Sequence, residues 1–234
     1  MLYHVSPTAG IKVLEPRVST HKKAYVYAID HLATGLLFGA PKDDFDFLID
    51  NVEDGTPICY ECYPGAFEHA YSGKSCSVYE LSDEGFLRGM TSWTPEVVCE
   101  HEVEVQREIF VPDLYERLLL EEKEGNLIIR RFENSQEYKQ LISRHITDRL
   151  IRFNALRYLE TDTRFQQHYK GLIEALCEVM DGHLLNPGRT IKPMEEKYLQ
   201  SSLKLVEDVF TEHENSKEGK TVRRLVEEIR SKKY

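Results

Sequence analysis

Long apolar runs are missing from this chain. No stretch approaches the roughly 18 consecutive apolar residues that a membrane helix needs. The basic start and apolar run of a secretion signal are missing too, since MLYHVSPTAG breaks at once into Pro7 and Gly10. Cysteine is sparse and odd in number, five in 234 residues, which argues against a fully paired disulfide framework and for reduced thiols. These absences read as a cytoplasmic protein. Positive charge is scarce in the first part: residues 1–133 carry 12 Lys and Arg against 24 Asp and Glu, a net −12. Such a surface repels a phosphate backbone and disfavours general nucleic-acid binding. Residues 134–234 carry 18 basic against 16 acidic side chains, a net +2, and are more permissive. No internal repeat or low-complexity tract is present.

What is present is a globular composition, 41% hydrophobic and 10% aromatic, too apolar for a disordered chain. Its length suits one large domain or two small ones. Up to about residue 132, short runs rich in Val, Ile, Tyr and Cys alternate with Gly, Pro and Asp. They predict strands over Leu2–Val5, Ala24–Ile29, Ile58–Tyr63, Ser77–Leu81, Val97–Cys99, Glu102–Val105 and Asn126–Arg130. Short helices fit Asp30–Gly39 and Pro112–Lys123, with Pro112 at a first helical position and Asp113 at the positive end of the dipole. After Asn134 the period becomes helical. Ser135, Tyr138 and Leu141 open a pattern running through Leu159, followed by Asp162–Asp181, Pro193–His213 and Thr221–Lys232. The expected architecture is therefore α+β: a split, mostly antiparallel sheet domain over 1–132, then an all-α helical bundle over 133–234.

The cysteines invite a metal reading. Cys59 and Cys62 form a Cys-x-x-Cys, with His69 and Cys76 downstream. Zinc knuckles sit in tight turns, whereas PICYECY reads as a strand, where residues three apart point to opposite faces. Only one such pair is present, so the thiols read as small hydrophobes and no metal is expected. Cys99 and Cys177 lie in apolar runs without a nucleophile signature and read as core. Arg144, Arg149, Arg152 and Arg157 line the first long helix. Asp148 and Arg152 are spaced i, i+4, the pattern of a solvated face.

The opening of the chain is more informative. His4 stands in an apolar first strand, in YHVSP. Tyr25 and Tyr27 share one face of a second strand by period-2 spacing, in YVYAIDHLATGLLF. Glu96 stands in TPEVV at the start of a buried strand, where a carboxylate is costly unless it has partners or faces a site. This order of residues resembles the ADP-ribosyltransferase fold, in its His–Tyr–Glu branch of poly-ADP-ribose polymerases and diphtheria-type toxins. The resemblance covers about the first 115 residues and rests on short motifs.

The resemblance implies an NAD-dependent transferase acting on a macromolecular acceptor, or an NAD glycohydrolase using the same site. It implies that His4 bonds the adenine-side ribose of NAD and that the Val5 backbone grips the nicotinamide amide. Tyr27 would stack on the nicotinamide ring, with Phe38 closing the other face. Glu96 would bond the nicotinamide-ribose 2′-hydroxyl and stabilise the positive charge that develops as nicotinamide leaves. Three departures stand beside it. Val5 occupies the place where the family has Gly. The second stacking position falls among Leu36, Leu37 and Phe38. The glutamate falls among Glu96, Glu100 and Glu102. The alternative is a non-catalytic nucleotide-binding or protein-interaction adaptor with a degenerate site.

Overall fold

The computed structural model describes residues 1–18, 23–43, 45–91, 93–135, 137, 138, 141 and 142. Contacts separate Met1–Arg131 from Phe132–Tyr234. The first unit is α+β. Its strands are β1 (Leu2–Ser6), β2 (Val13–Leu14), β3 (Arg17–Val18), β4 (Ala24–Ile29), β5 (Phe47–Asn51), β6 (Pro57–Glu61), β7 (Cys76–Leu81), β8 (Leu87–Arg88), β9 (Glu96–Cys99), β10 (Val103–Glu104), β11 (Arg107–Val111) and β12 (Ile128–Arg130). Its helices are α1 (Leu32–Leu36), α2 (Ala66–Tyr71) and α3 (Leu114–Lys123).

A seven-stranded antiparallel sheet runs in the order β11-β7-β1-β4-β9-β8, with β3 added on β4. A three-stranded sheet, β12-β6-β5, contains the parallel pair β12 and β6. β2 and β10 make a two-stranded ribbon. Alternation along the strands gives the large sheet two apolar faces, and each is covered. On one face, Cys76, Val78 and Val111 meet Leu36 of α1 and its C-cap Leu37, Phe67 and Tyr71 of α2, Leu114 and Leu118 of α3, and Phe47 and Cys59 of the small sheet. The rings of Phe47, Phe67 and Tyr71 lie with centroids 4.9–5.9 Å apart, a packing that contributes about 0.5–1.5 kcal/mol per pair beyond area burial. On the other face, Leu2, Val26, Ala28, Leu81 and Val97 meet Leu14 and Val103 of the ribbon.

Local chemistry sets the helix ends. Asp113 is the N-cap of α3, its carboxylate accepting from the Glu116 amide at 3.0 Å. Pro112 therefore sits one residue outside the helix, not at its first position. Gly125, at φ +81°, takes the left-handed conformation that closes α3. The helix expected over Asp30–Gly39 is shortened to α1, because His31 caps it through Nδ1 and the chain turns after Leu37. β5, α2 and β11 are elements that sequence periodicity does not reveal. FLIDN mixes its faces, AFEHAY is under two turns long, and REIFV is half exposed. In the second unit, the Ser135 hydroxyl accepts from the Tyr138 amide at 3.2 Å, as a helix-capping serine does. The helices expected beyond Ile142, with Arg144, Arg149, Arg152, Arg157 and Cys177, lie outside the described residues.

Candidate functional site

The large sheet is split where the sequence motifs meet. β1 pairs with β7 through five consecutive residues but with β4 through a single pair, Tyr3 with Ile29. β4 continues against β9, with Ile29 opposite Glu96 and Tyr27 opposite Val98. Beyond Tyr3, β1 and β4 part, and a side chain spans the start of the gap: His4 Nδ1 donates to the Tyr27 carbonyl at 2.9 Å. Tyr27 is thus held by its backbone at the point of divergence.

Register decides which side chains share a face. Tyr3, Val5, Tyr27, Ile29, Glu96 and Val98 fall on the face that carries α1. Tyr27 and Glu96 are diagonal neighbours across β4 and β9, within reach of one ligand. Both are half-buried. Tyr27 also packs edge-on against Tyr25 with centroids 6.0 Å apart. Phe38 follows α1 directly. Of the three positions for the second stacking residue, Leu36 and Leu37 are 0% exposed, whereas Phe38 is 39% exposed. Only Phe38 is available to a ligand.

His4 is on the opposite face, between Leu2 and Ser6 in the alternation, with its ring 6.2 Å from that of its cross-strand partner Tyr79. Burial pushes its pKa below the ordinary 6.5, against the smaller upward pull of the Tyr27 carbonyl. The neutral ring, with its proton on Nδ1, satisfies that geometry. His4 is brought to Tyr27 through the main chain, and its side chain does not share the Tyr27–Glu96 face. Glu100, just past β9, is exposed and ion-paired with Lys23, while Glu102 is exposed ahead of β10.

Val5 is turned toward α1. Its side chain packs against α1 at Gly35, where an added Cβ would stand 3.1 Å from Val5 Cγ2. A glycine in the helix makes room for the valine in the strand. Gly35→Ala should gain about 1 kcal/mol of helix propensity but meet Val5, and in a Val5→Gly background the gain should appear unopposed. Urea unfolding of the four proteins is expected to give a coupling of about 1 kcal/mol between the two positions. Additive effects would show that the contact is not felt.

The loop after β1 is tied down from the other side. Glu108 Oε1 accepts from the Gly10 amide and the Ser77 hydroxyl, each at 2.8 Å. The Tyr79 hydroxyl donates to the Thr8 carbonyl at 2.6 Å and accepts from the Ile11 amide at 3.3 Å. The Gly10 amide, above all, holds the Glu108 carboxyl below its ordinary 4.5. This tether is therefore present above about pH 4.5 and lost as pH falls through the lowered value. Tyr79→Phe should lower stability by about 1–2 kcal/mol and speed amide exchange at Gly10 and Ile11. Unchanged exchange there would show that the hydroxyl does not anchor the loop.

The described cysteines, Cys59, Cys62, Cys76 and Cys99, are buried. Cys59 and Cys76 belong to the buried cluster, and burial pushes the Cys76 thiol up to about 11 and Cys59 well above its ordinary value. His69 is at the surface of α2. Among the described residues no group of His, Cys, Asp or Glu could hold a metal ion, and none of their helices is long and apolar enough to cross a membrane.

One residue at the site was not given a role by its sequence: Trp93. Its ring lies 5.5 Å from that of Phe38, and its carbonyl accepts from the Glu96 amide at 3.1 Å. The available signal was a single tryptophan in a Thr- and Pro-containing loop just before the valine strand. Lys42 lies 4.3 Å over the Phe38 ring, and Arg88 bonds Asp30 at 2.6 Å just past the Ile29–Glu96 row. No family model, curated protein or solved structure matches the chain.

Proposed function

We propose that Met1–Arg131 is a sheet domain of ADP-ribosyltransferase type that binds NAD and breaks its nicotinamide–ribose bond, passing ADP-ribose to a macromolecular acceptor or to water. Residues 133–234 would form an all-α helical domain. The observation that carries this reading is the shared face of Tyr27 and Glu96 at the split between β1 and β4, with His4 bonded across that split.

The residues suit the ligand. Tyr27 and the exposed Phe38 offer flat surfaces for a planar ring, which orient it at little entropic cost. Val5 turns its side chain against Gly35. In the reaction the C1′–N bond breaks and its electron pair leaves with neutral nicotinamide. The ribose C1′ becomes cationic, and the Glu96 carboxylate stabilises that charge as it develops. The acceptor then bonds to C1′ and releases its proton to water. His4 acts here through its hold on the Tyr27 backbone. The adaptor alternative is favoured by the same bond, because it commits Nδ1 of His4 to the main chain rather than to a ligand.

The test is nicotinamide release from NAD by the full chain, with the thermal shift produced by NAD measured alongside. Release supports the enzyme. A shift without release supports the nucleotide-binding adaptor, and neither response overturns both NAD readings.

A further inference from the structure

An exposed aromatic ring loses rotamer freedom when it stacks on a ligand, unless something fixes it beforehand. Phe38 follows a five-residue helix and its amide donates to the Gly35 carbonyl at 2.9 Å, so its backbone is placed, but its ring is 39% exposed and is left to its neighbours. Lys42 Nζ lies 4.3 Å over the ring, and Trp93 packs beside it. The two rings are 5.5 Å apart between centroids and inclined at 57°, a tilted aromatic packing. Trp93 is itself held by its main chain: its carbonyl accepts from the Glu96 amide at 3.1 Å and from the Thr91 hydroxyl at 3.2 Å. One tight turn, Trp93–Glu96, therefore carries the indole to Phe38 at one end and starts β9 with Glu96 at the other.

We propose that Trp93 is a positioning residue that holds Phe38 ready to stack on the planar ring of the bound dinucleotide and keeps that ring in register with Glu96. This rests on the NAD reading above. Trp93 acts through Phe38, so its loss should weaken ring binding more than it slows the chemical step. As the only tryptophan in the chain, it also reports on the site directly.

The experiment uses the full chain. NAD is titrated into wild type and Phe38→Ala while tryptophan emission is followed, and KM and kcat for nicotinamide release are measured for wild type, Trp93→Ala and Trp93→Phe. Where NAD is bound but not turned over, the same comparison is made with Kd from calorimetry. Emission should change saturably with NAD in wild type. Trp93→Ala should raise KM or Kd roughly 2–10-fold, the worth of one aromatic contact, with kcat altered less. Trp93→Phe should restore most of the affinity. A KM or Kd for Trp93→Ala equal to wild type would overturn the positioning role while leaving the NAD reading intact. An equal fall in kcat with KM unchanged would overturn it in the same way. Wild type that neither binds nor turns over NAD would overturn the NAD reading and the role built on it.

Discussion

If the chain breaks NAD as proposed, replacing Glu96 by Gln should lower nicotinamide release by roughly 10²–10³-fold, the usual loss when one preorganised charge-stabilising group is removed. The substitution keeps the shape of the side chain and removes its charge. It therefore takes away what the cationic C1′ needs and little of what the ground state needs, so the fall should lie in kcat with KM nearly constant. Glu96 is half-buried at the first position of β9, and its backbone is held by the pairing with Ile29, which the variant retains. The melting temperature should move little. Glu100→Gln is the natural control: Glu100 is exposed and bonded to Lys23, and that variant should turn over NAD as wild type does. If Glu96→Gln releases nicotinamide at the wild-type rate, Glu96 is not the group that stabilises the cation. If Glu102→Gln is equally silent, the carboxylate mechanism fails altogether.

The elements that build this site were legible because they are buried on a regular period. Ala24–Ile29 stands as read, and β1, β7 and β9 fall within a residue of expectation, since each alternates or runs apolar between Gly, Pro or Asp. The shared face of Tyr27 and Glu96 was not legible in the same way. It depends on β4 lying next to β9, strands separated by some seventy positions, and no local pattern encodes that neighbour. The sequence put Phe38 first but kept Leu36 and Leu37 open, because the turn after α1 decides which one leaves the core. Where the Val5 side chain goes was not legible either, because it depends on Gly35 lying across from it. For His4 the expected contact was the adenine-side ribose of NAD; alternation from Tyr3 sends its ring to the face of Tyr79, and its partner in the structure is the Tyr27 carbonyl.

That contact leads to the second large effect. His4→Ala should destabilise the chain by about 2–3 kcal/mol, combining a lost hydrogen bond to the Tyr27 carbonyl with the space left beside Tyr79. His4→Asn should recover part of this, because a side-chain amide can donate to the same carbonyl. The two variants also separate the bond from the charge. In the folded chain burial lowers the His4 pKa below 6.5, so the unfolded chain binds the proton more readily. Stability is then complete above about pH 6.5 and falls as pH drops from there through the lowered value, because protonation must charge a desolvated ring. Urea unfolding between pH 7.5 and 5 should show this fall in wild type, and it should be smaller in His4→Asn, which carries nothing to titrate. An identical pH slope in the two proteins would assign the fall to another group.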